Sequence, residues 1–409
     1  MIKQLSSTLI ISLFLAVVLF PMLTLSQEAE GCDGARYRYL VFEDFDKIED
    51  VVYGSNIAAN GSEVNLEMDI YLPQGDSLTN RPVVVCAHGG FFMVGNNESP
   101  DIVPICEDFA RMGYVAVSIS YRLGIDNWLN LQTSMQEAVL RGVHDGKAAV
   151  RFLRKSHEEG GNPWGIDPDR IMMGGSSAGA FIALHAAYID EDEIPNIINQ
   201  EDPGLGGGVE GESGNSGYSS EVISVFSMSG AIGDANWIEE GDVPVVSTHG
   251  TDDTTVPYGS GSVQFLLIDI DQADGSLTIH EVAEENGVEN CFKTLEGADH
   301  IPHQFSAEYY DTTLSVISGF NSRMVCPTYE NLCGYYDVTD VPEINNEPDD
   351  PIDCPQDIVV NGVVDVSDMM AFLANYGCTG DCVGDFNNTG NVSISDVLSI
   401  LAIYGSYCE

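Results

Sequence analysis

The stretch Gly175-Ser176-Ser177-Ala178-Gly179 places a serine between two small residues in the pattern G-x-S-x-G, with Ser177 at its centre. A serine hydroxyl is a weak nucleophile until a base takes its proton. On a sharp strand-to-helix turn the hydroxyl is pushed out at the carboxyl end of a sheet, and only small neighbours fit around it. Ser176 is out of register, since its own flanks read G-x-S-x-A. Where a nucleophile sits on such a turn, an acid and then a histidine follow it along the chain. Three histidines lie downstream in useful positions: His280, His300 and His303. His280 falls in "LTIHEVAEENG", read as a helix with His280 on its surface. His300 follows the last strand in "LEGADHIPH", where a loop brings a base over the sheet, and is the expected base. His303 is expected as a pocket residue. The acid should follow the preceding strand, and "STHGTDDTTVPY" offers Asp252 and Asp253. A carboxylate there holds the imidazole tautomer and stabilises the imidazolium. "AHGGFFMVGN", residues 87–96, supplies small residues whose backbone N–H groups can approach a developing oxyanion, and Ala178 adds another donor.

The elements that must position these residues alternate. "RPVVVCA", "VAVSISYR", "DRIMMGGSS", "EVISVFSMSG", "VPVVSTHG" and "NCFKTLEG" read as short apolar strands. "IVPICEDFARMGY", "QEAVLRGVHDGKAAVRFLRKS", "AGAFIALHAAYI" and "EYYDTTLSVISGF" read as helices between or after them. Strands buried along their whole length and alternating with helices predict an α/β fold with a mostly parallel sheet covered on both faces. "YRYLVFEDF" and "NLEMDIYLP" add two alternating strands near the start. Residues 190–220 are acidic, glycine-rich and aperiodic, so they are either a cap over the site or a disordered surface loop.

"HGGFFMVG", "SISYRLG", "HDGKAAVRFLRK", "GIDPDRIMMGGSSAGA", "HGTDDTTVPY" and "EGADH" together resemble an α/β-hydrolase of the carboxylesterase and lipase type, over roughly residues 40–320. The resemblance implies an α/β-hydrolase fold and a Ser177–His300–Asp253 triad, Asp253 being the last residue of H-G-T-x-D with Val256 and Pro257 after it. It implies an oxyanion hole of Gly90, Phe91 and Ala178. "HGGF" stands where many relatives have three glycines, so Phe91 takes the place of the third. Asp145, in "VHDGKAAVRF", is expected to be structural at a helix start. His88 is expected to shape the oxyanion loop, and His249, at a strand end, to pack around the site rather than act in it.

The 409 residues suit one large domain and something smaller. Lys3, the apolar "LIISLFLAVVLF", and Thr24 and Ser26 fit a secretory signal over residues 1–26, with a mature start at Gln27. The apolar run is short for a membrane span, and no other run long enough occurs, so no span is expected in the mature chain. Sixty-four acidic residues against 15 basic give a formal charge of −49. Such a surface repels nucleic acid and anionic lipid, so no nucleic-acid partner is expected, and it suits a salty medium. Ten cysteines in an exported chain imply disulfides of unstated pairing. The expected organisation is a hydrolase domain at 27–333, a Pro- and Asp-rich linker at 334–353 and a small domain at 354–409.

That last domain is an internal repeat, "DIVVNGVVDVSDMMAFLANYG" and "DFNNTGNVSISDVLSILAIYG". Asp385, Asn387, Thr389, Asn391, Ser393 and Asp396 fall at the alternating positions of a twelve-residue calcium loop, with Gly390 at position six and Asn391 offering its carbonyl. In the first copy Asp357, Asn361, Val363, Asp365 and Asp368 fit around Gly362, but Val359 occupies position three and has no side-chain oxygen. The pair resembles a type I dockerin, an all-α, EF-hand-like module. That implies Ca2+ in this domain and a cohesin-like partner or cell-surface attachment. A degenerate, calcium-poor stalk is the alternative. Cys354 and Cys408 bracket the domain as a candidate clasp, and Cys378 and Cys382 lie between the copies. The resemblances together imply a secreted serine esterase that needs no cofactor for catalysis. By analogy with the company dockerins keep, its ester is polysaccharide-linked. A peptidase of the same fold, or a binding protein that keeps only the hydrolase shell, are the competing readings.

Overall fold

The computed structural model describes residues 29–125, 127–265, 268–342, 355–380, 382–387, 389–401 and 404. The expected signal at 1–26, most of the linker and the Cys354–Cys408 clasp lie outside them. The chain divides into two compact units, Met1–Pro342 and Glu343–Glu409.

In the first unit the strands are β1 (Phe45–Ile57), β2 (Glu63–Pro73), β3 (Arg81–Ala87), β4 (Val115–Ile119), β5 (Ile166–Ser176), β6 (Val225–Met228), β7 (Ala231–Ile232), β8 (Val245–Gly250), β9 (Ser260–Phe265), β10 (Ile268–Gly275) and β11 (Asn290–Leu295). The helices are α1 (Val103–Arg111), α2 (Leu131–Gly160), α3 (Ala178–Tyr188), α4 (Ser276–Glu285) and α5 (Ala307–Val325). Eight strands form one sheet in the order β1-β2-β4-β3-β5-β6-β8-β11. β1, β2 and β4 pair antiparallel, and every pair from β4 to β11 is parallel. This is the α/β-hydrolase fold.

Every residue of β3 and β4 is buried, as a strand covered on both faces requires. Alternate residues serve opposite layers. Val83 and Val85 belong to the core layer that α2, α3 and α4 share, while Val84 and Cys86 belong to the layer that includes Phe109 of α1 and Phe320 of α5. The long α2 stops at Gly161, whose φ of 72° suits a left-handed helix cap.

Three parts differ from the sequence-based expectation or decide between its alternatives. Asp145 lies mid-way along α2 rather than at a helix start. It is fully buried against Arg122, whose Nε and backbone N–H both donate to it. Its role is therefore to hold α2 to the segment after β4. Residues 190–220 form neither helix nor strand, yet they are not a loose loop. Ile194, Ile198, Leu205 and Val209 are buried, Glu210 pairs with Lys147 and Arg151, and the Gly204 carbonyl accepts from Arg122. The third part is the antiparallel sheet β7-β10-β9, which no sequence pattern singled out.

Two disulfides tie the unit, Cys32–Cys326 and Cys291–Cys333, while Cys86 and Cys106 are buried free thiols. The second unit holds α6 (Val366–Ala374) and α7 (Ile394–Leu401), each preceded by one of the two loops, around a small core of Val364, Phe372, Val392 and Ile400. Cys378 and Cys382 are bonded to each other. No helix among the described residues is long and apolar enough to cross a membrane.

Candidate active site

Ser177 stands between the last residue of β5 and the first of α3, with φ 50° and ψ −115°. A serine held at positive φ costs about 1–3 kcal/mol and persists only where the surroundings impose it. Here they do, because α3 starts almost against the end of β3. A Cβ on Gly179 would lie 1.9 Å from the Ala87 carbonyl oxygen, and one on Gly175 would lie 2.4 Å from the same atom. The two glycines of G-x-S-x-G are thus required by the close approach of backbones. Ser176 is buried, and its Oγ has no hydrogen-bond partner among the described residues.

Three loops at the carboxyl ends of the parallel strands converge on Ser177. His300, after β11, brings Nε2 to 2.8 Å from Ser177 Oγ, and its Nδ1 lies 2.7 Å from Asp253 Oδ2, after β8. Asp253 Oδ1 accepts the backbone N–H groups of Thr255 and Val256, each at 2.9 Å. Burial opposes its ionisation, but hydrogen bonds from His249 and His300 outweigh that and hold the carboxyl well below the usual carboxylate range. Asp252 is exposed and accepts only from Thr251 Oγ1 among the described residues. The sequence alone left the pair Asp252 and Asp253 open, and the fold turns only Asp253 to the histidine.

The third loop is the turn after β3. Met93 and Val94 both donate to the Gly90 carbonyl, which bends the chain so that Gly90, Phe91 and Phe92 all have positive φ. A Cβ on Gly90 would meet the Val94 oxygen at 2.0 Å. Among the described residues the N–H groups of Gly90, Phe91 and Ala178 donate to no protein acceptor. Two unpaired N–H groups of one turn beside another at a helix start can receive a negative oxygen.

Histidines outside this chain of hydrogen bonds have other tasks. His88 stacks on Tyr121 with ring centroids 4.3 Å apart, and Tyr121 Oη donates to the His88 carbonyl, which fixes the start of the turn. His303 does not face the pocket as expected. It is buried, its Nε2 meets the Asp101 carbonyl at 3.2 Å, and burial brings it down to about 4. His280 is also buried rather than on the helix surface, bonded to Ser247 and Asn290 beneath α4. Burial lowers it to about 4.

Two carboxylates that the sequence did not mark position the loops. Asp101 accepts the Gly89 N–H at 2.7 Å and so anchors the turn. Asp299 accepts from its neighbour His300 N–H and from Thr254, bridging the histidine loop to the acid loop. Only its place beside His300 in "GADH" hinted at this.

A cavity of about 320 Å³ opens on Ser177 and Ala178. Its walls are mostly apolar: Phe91, Phe92, Met135, Val139, Phe181 and Trp237, with Pro195 and Ile198 from the 190–220 segment and Val263 and Ala273 from β9 and β10. The acidic segment is therefore one wall of the pocket.

In the second unit both loops make the same internal bonds. Asp385 accepts the N–H groups of Thr389 and Gly390, and Asp396 those of Asn387 and Ser393. Asp357 accepts from Asn361 and Gly362, and Asp368 from Val359 and Asp365. The loops are curled around oxygen atoms, the donor set a hard cation takes. Among the described residues no three His, Cys, Asp or Glu side chains already converge on a metal position.

The BD-FAE family model matches residues 68–205, which include the turn at Gly90 and Ser177 but neither Asp253 nor His300. Lipase 1 of Yarrowia lipolytica is 35% identical over 130 residues, covering 30% of this chain and 25% of its own. The para-nitrobenzyl esterase of Bacillus subtilis is 33% identical over 133 residues, covering 31% of this chain and 26% of its own. The matches thus span about a quarter of the length of these relatives. Among solved structures, a thermophilic esterase of Thermogutta terrifontis with propionate bound aligns with a TM-score of 0.47 at 24% identity, over 66% of this chain and 92% of its own.

Proposed function

We propose that the protein is a serine hydrolase of carboxylic esters. The observation that carries this reading is the unbroken chain Ser177 Oγ–His300 Nε2, His300 Nδ1–Asp253 Oδ2, at 2.8 and 2.7 Å, ending on an elbow serine beside free N–H groups. His300 Nε2 takes the Ser177 proton as Oγ bonds to the ester carbonyl carbon. The carbonyl electrons move to oxygen, and the N–H groups of Gly90, Phe91 and Ala178 hold that oxyanion. As the tetrahedral centre collapses, His300 gives its proton to the leaving alcohol. A water then gives a proton to His300 and attacks the acyl-enzyme, and as this second tetrahedral centre collapses His300 returns the proton to Ser177 Oγ and the acid leaves. Asp253 stays ionised throughout and keeps one imidazole proton on Nδ1, both before and after Nε2 takes the Ser177 proton.

The apolar cavity beside Ser177 suits the acyl group. The resemblance to dockerins supports a polysaccharide-linked ester, a secreted chain and a tail that docks. The tail adds its own support: Val366, Met370 and Leu373 on α6 and Ile394, Leu398 and Leu401 on α7 are exposed at the same helical spacing, an apolar stripe that suits a protein partner such as a cohesin. Asp385, Asn387, Thr389, Asn391, Ser393 and Asp396, and Asp357, Asn361, Val363, Asp365 and Asp368, would hold Ca2+, which would brace these two helices and take no part in the ester chemistry. The test is a series of p-nitrophenyl esters of rising acyl length beside acetylated xylan, with and without EGTA. Ester hydrolysis should be unaffected by EGTA while limited proteolysis beyond residue 354 accelerates. No turnover of any ester contradicts the enzymatic reading, and a large rate loss on chelation contradicts the division of labour.

A further inference from the structure

A second histidine reaches the same carboxylate oxygen of the acid as His300 does. His249, near the end of β8, is fully buried, and its Nε2 lies 3.2 Å from Asp253 Oδ2. The same nitrogen is 3.3 Å from the Val256 carbonyl, and its Nδ1 is 2.9 Å from Ser276 Oγ, at the start of α4. The neighbours decide the tautomer. A carboxylate oxygen and a carbonyl oxygen can only accept, so Nε2 carries the proton. The Ser276 hydroxyl therefore donates to Nδ1. The ring is held edge-on to Tyr258, centroids 5.8 Å apart, so it has little freedom to turn away.

Asp253 thus receives N–H groups from Thr255 and Val256 on Oδ1 and the imidazole N–H of His300 on Oδ2, while the single Nε2 proton of His249 lies between that same Oδ2, at 3.2 Å, and the Val256 carbonyl, at 3.3 Å. The backbone pair fixes one oxygen. The bond from His249 restrains rotation of the carboxylate about that fixed point and sets where Oδ2 meets His300. The Asp253 side chain has no exposure to solvent, so water does not stand in for a lost donor.

We infer that His249 is a positioning residue for the acid of the triad, oriented in turn by Ser276, so that a relay Ser276–His249–Asp253 sets the geometry of His300. This rests on the esterase reading above. His249 touches no substrate and transfers no proton in the cycle. Its effect on the reaction passes through Asp253 alone.

The experiment compares His249→Leu, which keeps bulk but has no donor, His249→Gln, which can present an amide N–H to Oδ2, and Ser276→Ala, which removes the group that selects the tautomer. Each is made in the full chain and again with Asp253→Asn, and kcat and KM are measured with p-nitrophenyl butyrate. His249→Leu should lower kcat by roughly tenfold or more, the scale of losing one hydrogen bond to a charged group, with KM within about twofold. His249→Gln should restore most of the rate, and Ser276→Ala should show a smaller loss. In the Asp253→Asn chain, His249→Leu should cost nothing further, because groups that act as one unit are not additive. A folded His249→Leu chain with wild-type kcat overturns the proposal. So does a full additional loss in the Asp253→Asn background, or a glutamine variant as slow as the leucine one. If the leucine chain does not fold, the glutamine and Ser276→Ala variants decide: wild-type kcat in Ser276→Ala overturns the relay. A parent chain that hydrolyses no ester and takes no fluorophosphonate overturns the esterase reading itself, and the role of His249 with it.

Discussion

Replacing Asp253 by asparagine separates the charge of the acid from its shape. Oδ1 of Asp253 accepts two backbone N–H groups at 2.9 Å. An asparagine must keep its carbonyl oxygen there, since its NH2 group would face two donors. The amide nitrogen therefore takes the place of Oδ2, 2.7 Å from His300 Nδ1. That nitrogen can only donate, so His300 must accept through Nδ1 and carry its proton on Nε2, pointing at Ser177. A histidine in that tautomer cannot take the hydroxyl proton. The equivalent change in the serine-protease triad lowers kcat by about 10⁴, or ~5.5 kcal/mol of transition-state stabilisation at ~1.4 kcal/mol per tenfold. The same order is expected here, with little change in KM. Asp252→Asn, one residue away on an exposed side chain, should stay within about twofold of the parent rate. Steady-state kinetics on p-nitrophenyl butyrate measures both. An Asp253→Asn chain that keeps more than about a tenth of its rate, or an Asp252→Asn chain that loses as much, refutes the tautomer argument.

Other consequences follow from burial and close approach. Ser176→Ala should keep its activity and its stability, because the buried Ser176 hydroxyl has no partner to lose among the described residues; a large loss of rate places the nucleophile in the wrong register. Gly179→Ala should lower Tm and abolish turnover, although alanine is the better helix former, because its methyl would meet the Ala87 oxygen at 1.9 Å; an active, more stable variant contradicts the close packing of α3 on β3. His144, His185, His280 and His303 are held neutral by burial down to about 4. The unfolded chain protonates them near the ordinary histidine value of about 6.5, so it binds more protons than the folded chain in the window from 6.5 down to 4. Stability is therefore full above about 6.5 and falls on acidification by ~1.4 kcal/mol per histidine per pH unit. Urea unfolding across that window should show the loss, and stability that rises as the pH falls would contradict the burial argument.

Ser177, His300 and the pair Asp252 and Asp253 could be named from the sequence because they sit at strand ends, where apolar runs stop at small or polar residues. The choice of Asp253 needed either the family pattern or the fold. What the sequence hid depends on contacts between distant parts of the chain. His280 lies on a helix whose pattern does not reveal that its ring reaches Ser247 beneath it. The glycine-rich 190–220 segment has no period, and its order comes from Arg122, Lys147 and Arg151 on other elements. Asp145 resembles a helix-start residue in its composition, but α2 runs on in both directions because its buried face continues. Among the described residues of the β9–β10 hairpin the only buried apolar side chains are Val263, Ile270 and Ala273, each between polar neighbours, too few apolar positions to mark two strands that form a wall of the pocket.

If Ser177 is a nucleophile activated through His300 and Asp253, a fluorophosphonate should find it. Treating the full chain with this probe and locating the adduct by mass spectrometry of its peptides should give one phosphonyl group per chain, on Ser177, with complete loss of ester hydrolysis, and much slower labelling in Asp253→Asn. Hydrolysis that persists in a fully labelled chain, or an adduct on Ser176 or any other residue in place of Ser177, would contradict that role of Ser177.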